Sequence, residues 1–68
     1  MRNELSTRIF ELRKENNLSQ KELALKINVS QKAIDFWEKG INEPKASYII
    51  LLANVFGVTA DYLLGLED

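Results

Sequence analysis

Gln31, Lys32, Asp35 and Phe36 gather an amide, an ammonium, a carboxylate and an aromatic ring within six residues of chain. Such a set donates and accepts hydrogen bonds and offers apolar contact, which is the chemistry of non-covalent recognition. Bond-breaking chemistry finds almost no support elsewhere. Histidine and cysteine are absent, and the carboxylates fall along polar helix faces without converging. Ser19, Ser30 and Thr59 are all accounted for as helix caps. The chain therefore reads as a non-enzyme without cofactor or small-molecule ligand. The missing cysteines also exclude disulfides and thiolate metal sites.

A recognition face needs an element to present it, and residues 19–40, SQKELALKINVSQKAIDFWEKG, supply one. Ser19 can cap a first helix, with Glu22 reaching back to complete a capping box and Leu18 and Leu23 forming a hydrophobic staple. Val29, Ser30 and Ile34 repeat the staple and cap for a second helix. Between them Ile27, Asn28 and Val29 leave room for a turn of three or four residues, with Asn28 best able to adopt positive φ. This is the spacing of a helix-turn-helix, whose second helix can lie in the major groove of DNA. Base reading is thus the leading functional expectation.

The remaining pattern is helical from end to end. Leu5, Ile9 and Leu12, widened by Phe10, place a first helix over about Asn3 to Asn16. Helix 2 should cover Gln20 to Lys26 and helix 3 Gln31 to Lys39, with Gly40 as its stop. Helix 4 should run from about Lys45 to Phe56, and Thr59 should cap a short helix over Ala60 to Leu64. Glu67 and Asp68 read as a frayed end. The expectation is one all-α domain over 1–68, a compact bundle of five short helices with the helix-turn-helix at 19–38. Helix 4 carries a second apolar stripe, Tyr48, Leu51 and Val55, which with Tyr62 is either a dimer surface or simply core wrapped on two sides.

Composition narrows the partners. Sixty-eight residues, 46% hydrophobic and 28% charged, suit one folded domain rather than a disordered chain. The longest apolar run, Tyr48 to Ala53, is far too short for a bilayer, and MRNELSTRIF lacks the apolar region of a secretory signal, so a cytoplasmic protein with no membrane partner is expected. The net charge of −1 is unevenly spread. Residues 1–45 hold all nine Lys and Arg against seven acids, and residues 46–68 hold three acids alone, so +2 and −3 give the total. The basic end coincides with the helix-turn-helix.

These residues resemble the phage repressor and Cro type of helix-turn-helix domain, the XRE family. The resemblance spans about Arg8 to Leu64 and rests on an ordered set: R-I-x-x-L-R at 8–13, N-L-S-Q-x-E-L-A at 17–24, V-S-Q at 29–31, I-x-x-W-E-x-G at 34–40, E-P at 43–44, L-A at 52–53 and F-G-V-T-x-D-Y-L-L at 56–64. It implies a lambda-repressor-like bundle that regulates transcription, commonly as a homodimer on a near-palindromic double-stranded DNA operator. By the same resemblance Gln31, Lys32, Asp35 and Phe36 fall on base-reading positions. Gln20, Ser30, Lys39, Gly40 and Asn42 fall on phosphate-contacting positions, and Arg13 and Glu38 on an ion pair joining helix 1 to helix 3. The chain departs from the pattern at Asn17 and Asn28, where glycine is frequent, at Lys45 in place of a hydroxyl cap, and at Phe36 in a commonly polar slot.

Each reading position has its own chemistry. Gln31 suits adenine N6 and N7, and Lys32 suits guanine O6 and N7. Asp35 either accepts from cytosine N4 or orients Lys32. Trp37 shares the stripe of Ile34 and belongs in the core, leaving Phe36 outside for a thymine methyl or for rim packing. Arg13 and Glu38 are a buried pair or two surface charges of little consequence. The rival function is a protein-interaction module, antitoxin or anti-repressor-like, that keeps the bundle and uses the helix 4–5 surface.

Overall fold

Local signals set the helix ends. The structure, a computed structural model, describes residues 3–68, so Met1 and Arg2 of the expected 1–68 unit lie outside the described residues. Five helices follow in order: α1 Glu4–Glu15, α2 Gln20–Ile27, α3 Gln31–Lys39, α4 Ala46–Phe56 and α5 Ala60–Leu63. No strand occurs among the described residues. The Ser19 hydroxyl accepts from the Glu22 amide at 3.0 Å while the Glu22 carboxylate accepts from the Ser19 amide at 2.8 Å, a closed capping box. Ser30 accepts from the Ala33 amide at 3.1 Å and Thr59 from the Tyr62 amide at 3.0 Å. Helix α1 has a further box of its own, between Asn3 and Ser6.

The chain turns through left-handed residues where those signals end. Asn17 (φ 57°) and Asn28 (φ 60°) take the left-handed conformation that glycine adopts most easily. Asparagine pays less there than other side chains, and the cost at each turn is about 1 kcal/mol. Lys45 is extended at the head of α4 and makes no side-chain cap, so that helix begins at Ala46, after the buried Pro44.

Each of the five helices contributes one fully enclosed aliphatic side chain: Ile9, Leu23, Ile34, Leu52 and Leu63. Trp37 joins this core at 6% exposure, its ring 5.6 Å from that of Tyr48. The second stripe of α4 is largely internal. Tyr48, Val55 and Tyr62 are half-buried and pack against the core, and only Leu51, with neighbouring Ile50, stays exposed on α4 among the large apolar side chains. The four residues therefore do not form the continuous open surface that the periodicity allowed.

The C-terminal segment is also tied down, against the expected fraying of Glu67. Arg8 donates to the carbonyl oxygens of Tyr62 and Glu67, stacks over the Tyr62 ring at 4.1 Å, and pairs with Glu4 at 3.0 Å. The Thr59 hydroxyl donates to the Glu67 carboxylate. Gly65, at φ 82°, brings the backbone so close to Glu4 that an added Cβ would lie 2.8 Å from the Glu4 Cβ. No helix among the described residues is long and apolar enough to cross a membrane.

Candidate nucleic-acid interface

Helix α3 is strongly two-faced. Ile34, Trp37 and Glu38 are buried, while Gln31 and Lys32 at its leading turn are exposed and Asp35 and Phe36 are half-exposed. The leading turn thus carries its polar groups outward, and its core face locks the helix against α1 and α2. Gln31 also lines an open polar cleft, shared with Arg13, Lys14, Asn17 and Gln20, between the end of α1 and the start of α2. The Lys32 ammonium lies 5.6 Å above the Phe36 ring. Among the described residues Asp35 makes no ion pair with Lys32; its partners are Lys39 and Gln20.

Asp35 is engaged elsewhere. One oxygen accepts from Gln20 Nε2 at 3.1 Å and the other lies 2.9 Å from Lys39 Nζ. The Lys39 hydrogen bond, followed by that from Gln20, holds the Asp35 carboxyl below its ordinary value. The same Gln20 nitrogen donates to Glu38 at 3.1 Å. Two carboxylate partners leave no ambiguity about the amide, because only its NH2 end can satisfy both. Both amide hydrogens of Gln20 are thereby occupied, so it can donate to a phosphate only if this network opens. The family resemblance places the Gln20 amide against the recognition helix, and the two carboxylates that receive it, 15 and 18 positions away, are what local spacing does not reveal.

Arg13 anchors the network from α1. Its Nε donates to Glu38 Oε2 at 2.6 Å, Nη2 donates to Oε1 at 3.1 Å, and Nη1 donates to the Leu18 carbonyl at 2.9 Å. Glu38 is 2% exposed, and no buried side-chain polar atom among the described residues lacks a partner. A two-pronged guanidinium–carboxylate pair is both stronger and more directional than an ammonium would give. Arg13, Glu38, Gln20, Asp35 and Lys39 form one polar line across α1, α2 and α3, fixing how the recognition helix sits.

The remaining candidates lie around this face. The Ser30 hydroxyl accepts within its cap and keeps its own hydrogen to donate. Lys39 and Asn42 are exposed. The Gly40 amide, at φ 74°, already donates to carbonyls of Phe36 and Trp37, so this residue turns the chain and has no donor to offer a phosphate.

A helix-turn-helix family profile matches residues 9–63 of this chain. The chain belongs to that family, in its XRE-type branch. Among relatives in this family, the HTH-type transcriptional regulator ImmR of Bacillus subtilis (strain 168) is 31% identical over 64 residues, covering 94% of this chain and 50% of ImmR. The chain spans about half the length of that relative. The fold is similar to that of the P22 c2 repressor in complex with a synthetic operator, with a TM-score of 0.87, 30% identity, and coverage of 93% of this chain and 96% of that one. It is also similar to SinR, described as the master regulator for biofilm formation, in complex with DNA: TM-score 0.82, 28% identity, coverage 88% and 97%. Both resemblances extend over the helix-turn-helix and the helices that brace it.

Proposed function

We propose that residues 1–68 act as one helix-turn-helix domain that binds double-stranded DNA by sequence and regulates transcription, as a repressor occupying a near-palindromic operator. The observation that carries this reading is the leading turn of α3. Gln31 and Lys32 are exposed there while Ile34 and Trp37, on the same helix, are buried. A helix held in this way can enter a major groove, wide enough for one α-helix, with its amide and ammonium ahead. Gln31 then pairs with adenine, Lys32 with guanine, and the outer edge of Phe36 meets a thymine methyl. Ser30 and Asn42 hold the sugar–phosphate backbone and fix the register of the helix, with Lys39 beside them paired to Asp35. Similarity to the P22 c2 repressor and to SinR, both in complex with DNA, supports duplex DNA as the partner.

A homodimer follows from the proposed operator symmetry, with Leu51 and Ile50 the exposed apolar side chains of α4 available to it. Two recognition helices related by a two-fold axis read half-sites about 34 Å apart, which makes an operator of about 14–20 base pairs. Selection of bound sites from random duplex DNA, followed by footprinting of the winner, tests both parts. The expected winner is an inverted repeat with that spacing, protected in the major groove of each half. Enrichment of a single half-site would remove the dimer. No enrichment over random sequence would remove the function.

A further inference from the structure

Asp35 stands on the face proposed to meet DNA, where a bare carboxylate repels phosphates. Its charge is not bare. Oδ2 lies 2.9 Å from Lys39 Nζ, one turn along α3, and Oδ1 accepts from Gln20 at 3.1 Å. A cytosine N4 donor would meet a carboxylate whose oxygens already have partners within the chain. The pair also alters what Lys39 brings. Its side chain is 59% exposed, yet an ammonium against a carboxylate carries almost no net charge at the distance of a phosphate. Lys39 therefore displaces few counterions while Asp35 holds it.

We propose that Asp35 is a positioning residue that acts through Lys39: it cancels that charge on the recognition face, holds down affinity for duplexes of every sequence, and contacts no base. The inference rests on the DNA-binding reading above. Sequence-independent binding is supplied by phosphate neutralisation, whereas base contacts carry the sequence information. An internal ion pair at this position leaves binding more dependent on Gln31 and Lys32 and less on charge. As an exposed pair one turn apart it adds little to folding, so its consequence lies in binding.

Asp35→Asn removes the pairing, because asparagine keeps an oxygen for the Gln20 amide and puts an uncharged NH2 where the carboxylate oxygen faces Lys39. Binding of the wild type and this variant to random-sequence duplex and to the selected operator is measured between about 50 and about 200 mM salt. The variant should bind both more tightly at low salt, with a slope steeper by about 0.9, so that its advantage shrinks roughly 3- to 4-fold across that range. Preference at every base position should be unchanged, and adding Lys39→Gln should cancel the gain. Lost preference at one operator position would overturn the proposal and make Asp35 a base reader. A slope equal to that of the wild type would overturn it and leave the pair without effect on binding. If the wild type binds neither duplex at any salt, the DNA-binding reading fails and takes this inference with it. Wild-type binding with an unaltered Asp35→Asn slope sinks the inference alone.

Discussion

Glu38→Ala is expected to cost about 3–5 kcal/mol of folding stability. Glu38 is 2% exposed and holds two of the three Arg13 nitrogens. Removing it leaves a guanidinium that cannot lose its charge in an enclosed site, with the Leu18 carbonyl as its remaining hydrogen-bond acceptor. A small domain has about 5–15 kcal/mol in total, so the variant should lose a large share of it. At roughly 4–8 °C per kcal/mol for a domain of this size, the melting temperature should fall by more than about 12 °C. The double variant Arg13→Met/Glu38→Leu should be less damaged than either single change, because it removes both charges and fills the site with apolar volume. Thermal unfolding of Glu38→Ala, of the double variant and of its two single changes checks this. A Glu38→Ala melting curve close to that of the wild type would mean that the pair behaves as two surface charges.

Ile34→Ala is expected to cost about 2–5 kcal/mol through lost burial and the cavity left behind. Ile34 is fully enclosed and lies on the core face of α3, directly behind the leading turn. Its loss frees the helix to shift against α1 and α2, which should weaken operator binding beyond the share explained by unfolded protein. Denaturant unfolding gives the stability change. Operator titration at a temperature where the variant remains folded gives the second part. A loss below about 1 kcal/mol would show that the core repacks around the gap and that this side chain does not fix the helix.

What was legible in the sequence follows the range of the interactions involved. The caps at Ser19, Ser30 and Thr59 act over three residues, and such spacings can be read directly from a string of letters. The Asn3–Ser6 box escaped because Ser6 lies inside an apolar periodic stretch, where a hydroxyl looks like an ordinary helix residue. The five-helix order was legible for the same local reason, with ends shifted by a residue or so. Long-range polar contacts were not legible from local spacing: the Arg13–Glu38 pair and the placing of Gln20 against the recognition helix came only from the family resemblance. Arg8 meets carbonyls 54 and 59 positions away, and no pattern in the chain marks a cation as reserved for backbone oxygens. The Gln20 bridge depends on how α2 and α3 cross, and the inward turn of Tyr48, Val55 and Tyr62 depends on what neighbouring helices leave open. Helical period identifies a face, and tertiary packing decides how much of that face remains outside.

The leading turn of α3 is proposed to read base edges in the major groove. Its most direct test is a comparison of wild type and Gln31→Ala on the selected operator and on duplexes in which each base pair is changed in turn. The wild type should lose about 1–3 kcal/mol for each mismatched contacted pair. Gln31→Ala should bind the operator about 1–3 kcal/mol more weakly and become indifferent at one position in each half-site, while keeping its preferences elsewhere. A Gln31→Ala profile that matches the wild type at every position, or that weakens equally at all of them, would contradict the claim.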